Sequence, residues 1–381
     1  MFYLRSLIFL LVFSLIFSCN QKEKKQDSSI SSTESITLTH HASSFEIQDF
    51  GSYYTVEIKT PWPDSDKGFK YLLVREGEEV PGSENFDEVL QIPVKTIAVT
   101  STTHIPSLEM LGVENALIGF PNPDFISSEK TRKRIKEGKI KDFGKNEDIN
   151  TEILIELSPD VLVGFGMDGT NPSFPLIRKS GIPVLYNADW TETSPLGKAE
   201  WIKFFGVLFD KTEKAEEIFN DIVTQYNEAK ALALQSKTKP TVISGAMYRD
   251  IWYVPQGNSW GARFIEDAHG DYLWKDSPGT GSLALNLEQV IEKGLEAEFW
   301  IGPGQFTTFS ELKDASSSYS KFEAFQNKNI FTYNLRKGEK GGSVYFELAP
   351  NRPDLVLKDM IKILHPELLE DYEPYFFDKL R

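Results

Sequence analysis

The sequence predicts an α/β protein of two similar lobes with parallel sheets, joined by one long rigid helical segment and preceded by a small N-terminal β appendage. Three observations carry this expectation. Short apolar strands alternate with helical stretches on both sides of the middle of the chain, as parallel βα layers require. A helical segment of about 40 residues, far longer than the usual 11–12, separates those two regions. Two segments also echo each other at a fixed spacing, Asn150 corresponding to Asn286, which points to a duplicated unit.

The N-terminal region reads as a targeting segment. Arg5 precedes an unbroken apolar run from Leu7 to Phe17, too short for the roughly 20 residues that cross a bilayer and of the length of a secretory signal core. The run ends Leu15-Ile16-Phe17-Ser18-Cys19 and resembles a bacterial lipoprotein cleavage site, although Phe17 is bulkier than such sites favour. That resemblance implies removal of residues 1–18 and acylation of Cys19, and several acyl chains give stable anchoring. Cys19 is the only cysteine, so neither an intrachain disulfide nor a cysteine-based zinc site is available. Residues 19–35 are lysine, glutamate, glutamine, aspartate and serine with almost nothing apolar; a flexible tether is expected.

The remaining chain exceeds one comfortable core, so two domains are expected. The formal net charge of the whole chain, −15, argues against nucleic acid or an anionic membrane surface as partner. Residues 36–90 are the β appendage: Tyr54, Val56 and Ile58 alternate with Thr55, Glu57 and Lys59, and Lys70 to Arg75 supplies another strand. Residues 91–193 form the first lobe, with strands at Thr96–Val99, Ala116–Gly119, Val161–Val163 and Ile182–Tyr186, and helices at Ser107–Leu111 and Asn150–Leu157. The connector, 194–238, opens with Ser194 as N-cap and Pro195 at the first helical position. One irregularity is expected near Asp210-Lys211-Thr212. Residues 239–381 form the second lobe, beginning with a strand at Thr241–Ser244.

The repeat aligns Asn150, Glu152, Glu156 and Gly166 with Asn286, Glu288, Glu292 and Gly302. The strand–loop–helix unit before each also corresponds, Thr96–Gly119 with Thr241–Leu273. Ligands of open α/β sheets bind beyond the carboxyl ends of the strands, so two such lobes facing each other make a cleft.

At this point a family resemblance becomes specific. The stretches from Lys95 to His104, Ser107 to Val113, Thr151 to Val161 and Trp252 to Ser259 resemble the helix-backbone class of periplasmic substrate-binding proteins of ABC importers. That class carries iron–siderophore complexes, haem and corrinoids. Thr193–Lys203 and Arg352–Asp359 resemble a Bacteroidetes-type lipoprotein branch. The resemblance implies a periplasmic monomer, lipid-anchored through Cys19, with no intrinsic cofactor. It would capture a chelated metal (ferric siderophore, haem or corrinoid) and deliver it to the transmembrane subunits of a permease. It further implies that Glu152 and Glu288, one on each lobe, dock onto permease arginines; a carboxylate can receive a guanidinium bidentately. Ordinary solvated first-turn glutamates, favoured by the helix dipole, are the plainer reading.

Candidate ligand contacts lie where strands end. They are His104 and Trp190 in the first lobe, and Tyr248, Arg249 and Trp252 in the second. Arg336 and Tyr345 flank the loop from Lys337 to Gly342, a candidate cleft lip. An arginine among aromatic rings suits an anionic, partly flat ligand. The other histidines lie far along the chain from His104, so a bare-metal site is not expected. No nucleophile elbow, Walker loop, dinucleotide fingerprint or His-Glu-x-x-His occurs. The chain therefore reads as a binder and not an enzyme. The alternatives are a surface lipoprotein that hands a corrinoid to an outer-membrane receptor and, more distantly, a chelate-processing enzyme.

Overall fold

Alternation at the front of the chain builds more sheet than the two strands expected there. The computed structural model describes residues 35–82, 85–167 and 169–381. Cys19, the signal segment and the tether up to residue 34 lie outside these residues. Strands β1 (Ile36–Thr37), β2 (Phe45–Asp49), β3 (Tyr53–Ile58), β4 (Phe69–Arg75) and β5 (Glu88–Ile92) form one sheet in sequence order. The first four run antiparallel and β5 lies parallel to β4. Tyr54, Val56 and Ile58 face inward, as their period of two requires.

The first lobe follows. Its strands are β6 (Ile97–Val99), β7 (Leu117–Phe120), β8 (Lys141–Asp142), β11 (Val161–Gly164) and β12 (Val184–Tyr186), after a short hairpin of β9 (Gly144–Lys145) and β10 (Asp148–Ile149). They make a parallel sheet in the order β12-β11-β6-β7-β8. Strands β6, β11 and β12 are buried throughout, which explains their continuous apolar sequence. Helix α1 (His104–Leu111) links β6 to β7 and stops at Gly112, whose φ of 72° is the left-handed conformation that ends helices. Helices α2 (Glu129–Lys136), α3 (Thr151–Leu157) and α4 (Phe174–Lys179) complete the layer.

The connector is not one rod. Ser194 caps α5 (Pro195–Glu200) by accepting from the Gly197 amide at 2.9 Å. The chain then bends at Trp201, continues as α6 (Ile202–Leu208), and breaks at Asp210, where φ is 52°. Helix α7 (Thr212–Ala233) is the long element. The break at Asp210 falls where Asp210-Lys211-Thr212 predicts one, whereas apolar periodicity runs across Trp201 because both pieces keep their apolar face on the core.

In the second lobe β13 (Thr241–Ser244), β16 (Asp271–Tyr272), β18 (Phe299–Ile301), β19 (Ile330–Thr332) and β20 (Asp378–Lys379) form the order β16-β13-β18-β19-β20. All neighbours are parallel except β20. The run β19-β18-β13-β16 repeats β12-β11-β6-β7 element for element, as the sequence repeat requires. A separate meander of β14 (Ala246–Tyr248), β15 (Ile251–Pro255) and β17 (Ser282–Leu285) packs beside it, antiparallel throughout. Helices α8 (Trp260–Asp267), α9 (Leu287–Gly294), α10 (Phe309–Ala315), α11 (Glu323–Gln326), α12 (Val344–Leu348) and α13 (Pro353–Leu364) finish the lobe.

Two buried carboxylates of the connector region hold the segment that leads into β2. Glu200 accepts from the amides of His40, His41 and Ala42 at 2.9, 2.7 and 2.7 Å and pairs with Lys203 at 3.1 Å. Glu192 accepts from the amides of Ser43 and Ser44, and from both of their hydroxyls. Each carboxylate thus satisfies backbone donors that no strand partner reaches.

Candidate functional site

The loops that leave the carboxyl ends of β6, β7 and β11 converge on a chamber of about 600 Å³. Thr100, Ser101 and Thr102 follow β6, Asn122 and Phe125 follow β7, and Phe165 follows β11. The β9–β10 hairpin adds Lys145, Asn146 and Glu147. The second lobe closes the opposite side with Gly342, Ser343 and Phe346. Phe125 and Phe346 remain 62% and 53% exposed, large apolar faces that the fold leaves without partners. The chamber therefore offers phenyl faces for stacking, a row of hydroxyls and amides for orientation, and one cation, Lys145, balanced by Glu147.

The sequence candidates divide sharply. His104 is fully buried at the start of α1, does not line this chamber, and packs on Phe205 with ring centroids 5.4 Å apart. Both its ring nitrogens lack a hydrogen-bond partner, and burial drives its pKa down to about 4 against the pull of Asp189. It is a neutral core residue, not a cleft donor. Trp252 is likewise buried: its ring stacks on Trp300 at 5.2 Å and its indole N–H donates to the Ser244 carbonyl at 2.9 Å. Tyr345 is buried, stacked on Tyr333 at 4.4 Å, and its helical neighbour Phe346 takes the outward position instead. Arg336 is committed to Asp378 through two bonds of 3.0 and 3.2 Å.

Besides Arg336, whose side chain is 39% exposed, three candidates keep accessible surface. Trp190 is partly exposed in the loop after β12, its indole donating to the Gly166 carbonyl at 3.1 Å. Tyr248 is exposed at the end of β14, with the Arg249 guanidinium 5.4 Å above its ring. Arg249 has a φ of 57°, the left-handed conformation of a tight hairpin. None of the three lines the chamber.

Glu152 and Glu288 are exposed in the first turns of α3 and α9. Each follows an asparagine cap: Asn150 accepts from the Ile153 amide at 3.1 Å and Asn286 from the Gln289 amide at 2.8 Å. Each helix precedes an equivalent strand, β11 or β18, and its N-terminus lies toward the carboxyl edge of its sheet, the side on which the chamber opens.

The residues missed were Phe125, Phe165, Phe346 and Lys145. Phe125 and Phe165 stand just beyond strands that the sequence locates, so their position was available. Phe346 was not, because nothing local tells which of two adjacent aromatics in a short helix faces the core. Among the described residues no group of three His, Cys, Asp or Glu is arranged to hold a metal ion.

Two parallel-sheet lobes with a helical connector and a chamber at the strand ends define a solute-binding protein. The chain belongs to the periplasmic binding protein family, whose model matches residues 97–335. It is 29% identical over 330 residues to an uncharacterized lipoprotein of Methanocaldococcus jannaschii, covering 82% of this chain and 76% of that one. Among solved structures it resembles a possible iron-binding periplasmic solute-binding protein of Staphylococcus epidermidis (TM-score 0.55, 18% identity, 72% of this chain and 100% of that one). It also resembles a periplasmic haem-binding protein of Vibrio cholerae (TM-score 0.53, 18% identity, 69% and 99%). A third is the Helicobacter pylori protein CeuE with Ni(II) bound (TM-score 0.55, 16% identity, 74% and 88%). At these identities the likeness is one of fold.

Proposed function

We propose that this chain is the lipid-anchored substrate-binding component of an ABC importer, held to the membrane through Cys19. It captures a metal chelate between its lobes, in the first place an iron–siderophore complex, with a corrinoid as the nearest relative. The observation that carries this reading is the composition of the chamber. Phenyl faces, hydroxyls, amides and a single lysine recognise the outside of an organic ligand. They do not include the imidazole, thiolate, thioether or phenolate that grips haem iron axially, and His104 is buried away from them. A chelate whose metal is already fully ligated matches this lining better than haem or a bare ion. Glu152 and Glu288, equivalent and exposed on the two lobes, are the docking carboxylates for permease arginines.

A thermal-shift screen of the purified protein against ferric siderophores, cobalamin, cobinamide and haem tests the reading. A ligand at 100 times its Kd adds about 2.7 kcal/mol, a readily measured rise in melting temperature. A rise with a ferric siderophore is expected. A rise with haem alone would refute the argument from missing axial donors.

A further inference from the structure

The loop from Lys337 to Ser343 leaves the second lobe and lies directly against the first. It is drawn into a tight hairpin by the pairing of Lys337 with Ser343 and by the Gly338 amide donating to the Gly342 carbonyl at 2.8 Å. Its backbone is in contact with lobe one at both ends. A Cβ on Gly338 would stand 2.5 Å from the Ser127 Cα, and a Cβ on Gly342 would stand 2.2 Å from the Phe125 carbonyl oxygen. Neither neighbour is a side-chain tip that can swing aside, so any larger residue at these two positions must push the loop off.

The loop is also fastened. Directly beyond it, in α12, Glu347 is buried with both carboxylate oxygens engaged across the lobes. It accepts from the Ser127 amide at 2.6 Å and the Ser128 amide at 2.8 Å. Glu339 at the loop tip pairs with Lys136 of lobe one at 2.6 Å. Asn351 adds a third tie, accepting from the Ser107 hydroxyl at 2.7 Å and donating to the Thr103 carbonyl at 2.9 Å. This loop separates the 600 Å³ chamber on one side from a groove of about 910 Å³ on the other, because Gly342 and Ser343 face the first and Lys337 and Gly338 face the second.

We propose that residues 337–343 form a strap that closes the chamber over its ligand and sets the size of chelate admitted, with the Glu347 carboxylate as its fastening. The size filter rests on the chelate-capture reading above; the fastening does not. With the strap down, Gly342 and Ser343 wall off one side of the 600 Å³ chamber, and bulkier chelates gain room when the chamber opens into the neighbouring groove.

The test uses the full protein with Gly342→Val, Gly338→Ala and Glu347→Gln, each checked for folding by circular dichroism. Amide hydrogen exchange at Ser127 and Ser128 reads the fastening without any ligand. Losing one of these buried hydrogen bonds corresponds to roughly tenfold faster exchange, and this is expected in Glu347→Gln and Gly342→Val. Affinities for the iron(III) complexes of a linear bis-catecholate and of a macrocyclic tris-catecholate read the filter. The wild type is expected to prefer the smaller complex by about tenfold or more, and Gly342→Val to lose that preference. Unchanged exchange in all three folded variants overturns the fastening. An unchanged affinity ratio in Gly342→Val overturns the filter. If the wild type binds neither complex, the filter is overturned while the exchange rates still decide the fastening, and the thermal-shift screen decides the chelate reading separately.

Discussion

His104 offers a sharp test of the line drawn between core and cleft, because a buried, unpartnered imidazole leaves a mark on stability that a ligand-binding one does not. Its ring makes no hydrogen bond, and burial lowers its pKa from 6.5 to about 4. Between those two values the unfolded chain binds a proton that the folded chain refuses, so stability falls as pH drops through that window. At 1.36 kcal/mol per pKa unit the penalty approaches about 3 kcal/mol well below pH 4, and the part of it that develops between pH 7.5 and pH 4.5 is about 2.5 kcal/mol. His104→Phe places an apolar ring against Phe205 and has nothing to titrate. Urea unfolding of both proteins at the two pH values cancels every other ionisable group, so the stability difference between variant and wild type is expected to move in favour of the variant by that amount. Parallel pH profiles would show that the imidazole reaches a proton-accepting environment and that the core assignment is wrong. The same variant is expected to bind ligand within about twofold of wild type; a large loss of affinity would return His104 to the cleft.

Other expectations follow from the same geometry. Glu152→Arg with Glu288→Arg is expected to abolish uptake in cells while leaving the Kd of the purified protein unchanged, since both side chains are exposed and outside the chamber; a changed Kd would refute the docking role. Phe346→Ala removes an exposed chamber face and is expected to weaken ligand binding by about 1–2 kcal/mol, roughly five- to thirtyfold, with little effect on melting. Trp252→Ala, by contrast, empties a buried stack and is expected to cost about 3–5 kcal/mol of stability, measured by denaturant unfolding. Glu200→Ala leaves the amides of His40, His41 and Ala42 without an acceptor, while Lys203 keeps Glu216 and the Leu38 carbonyl. A loss of about 1–3 kcal/mol and faster proteolysis around His40 and His41 are expected, and undiminished protection there would refute the clamp.

The two-lobe architecture was legible because its signals are local. Val161-Leu162-Val163 can only be a buried strand, Asn150 and Asn286 are caps, and Ser194-Pro195 starts a helix. The break at Asp210 was legible in Asp210-Lys211-Thr212, whereas the interruption at Trp201 was not, since it needs no change in apolar period when both pieces pack on the same core.

The site was legible only to the level of the loop, and the reason is geometric. Position after a strand end places a residue at the carboxyl edge of the sheet, and Thr100, Phe125 and Phe165 obey that rule. Direction is a different quantity. His104 and Thr102 are two residues apart in one loop, yet one is sealed under Phe205 and the other faces the chamber, because the first turn of α1 has already begun at His104 and rotates its side chain into the layer below. Tyr345 and Phe346 divide the same way, about 100° apart on α12. The contacts that join the lobes were the least legible of all. Glu347 and Ser127 are 220 residues apart, and no periodicity or motif announces that a carboxylate in one lobe will meet two backbone amides of the other. A buried glutamate beside an exposed phenylalanine in a five-residue helix is intelligible only once both lobes are in place, with Phe346 turned into the chamber and Glu347 holding the wall that encloses it.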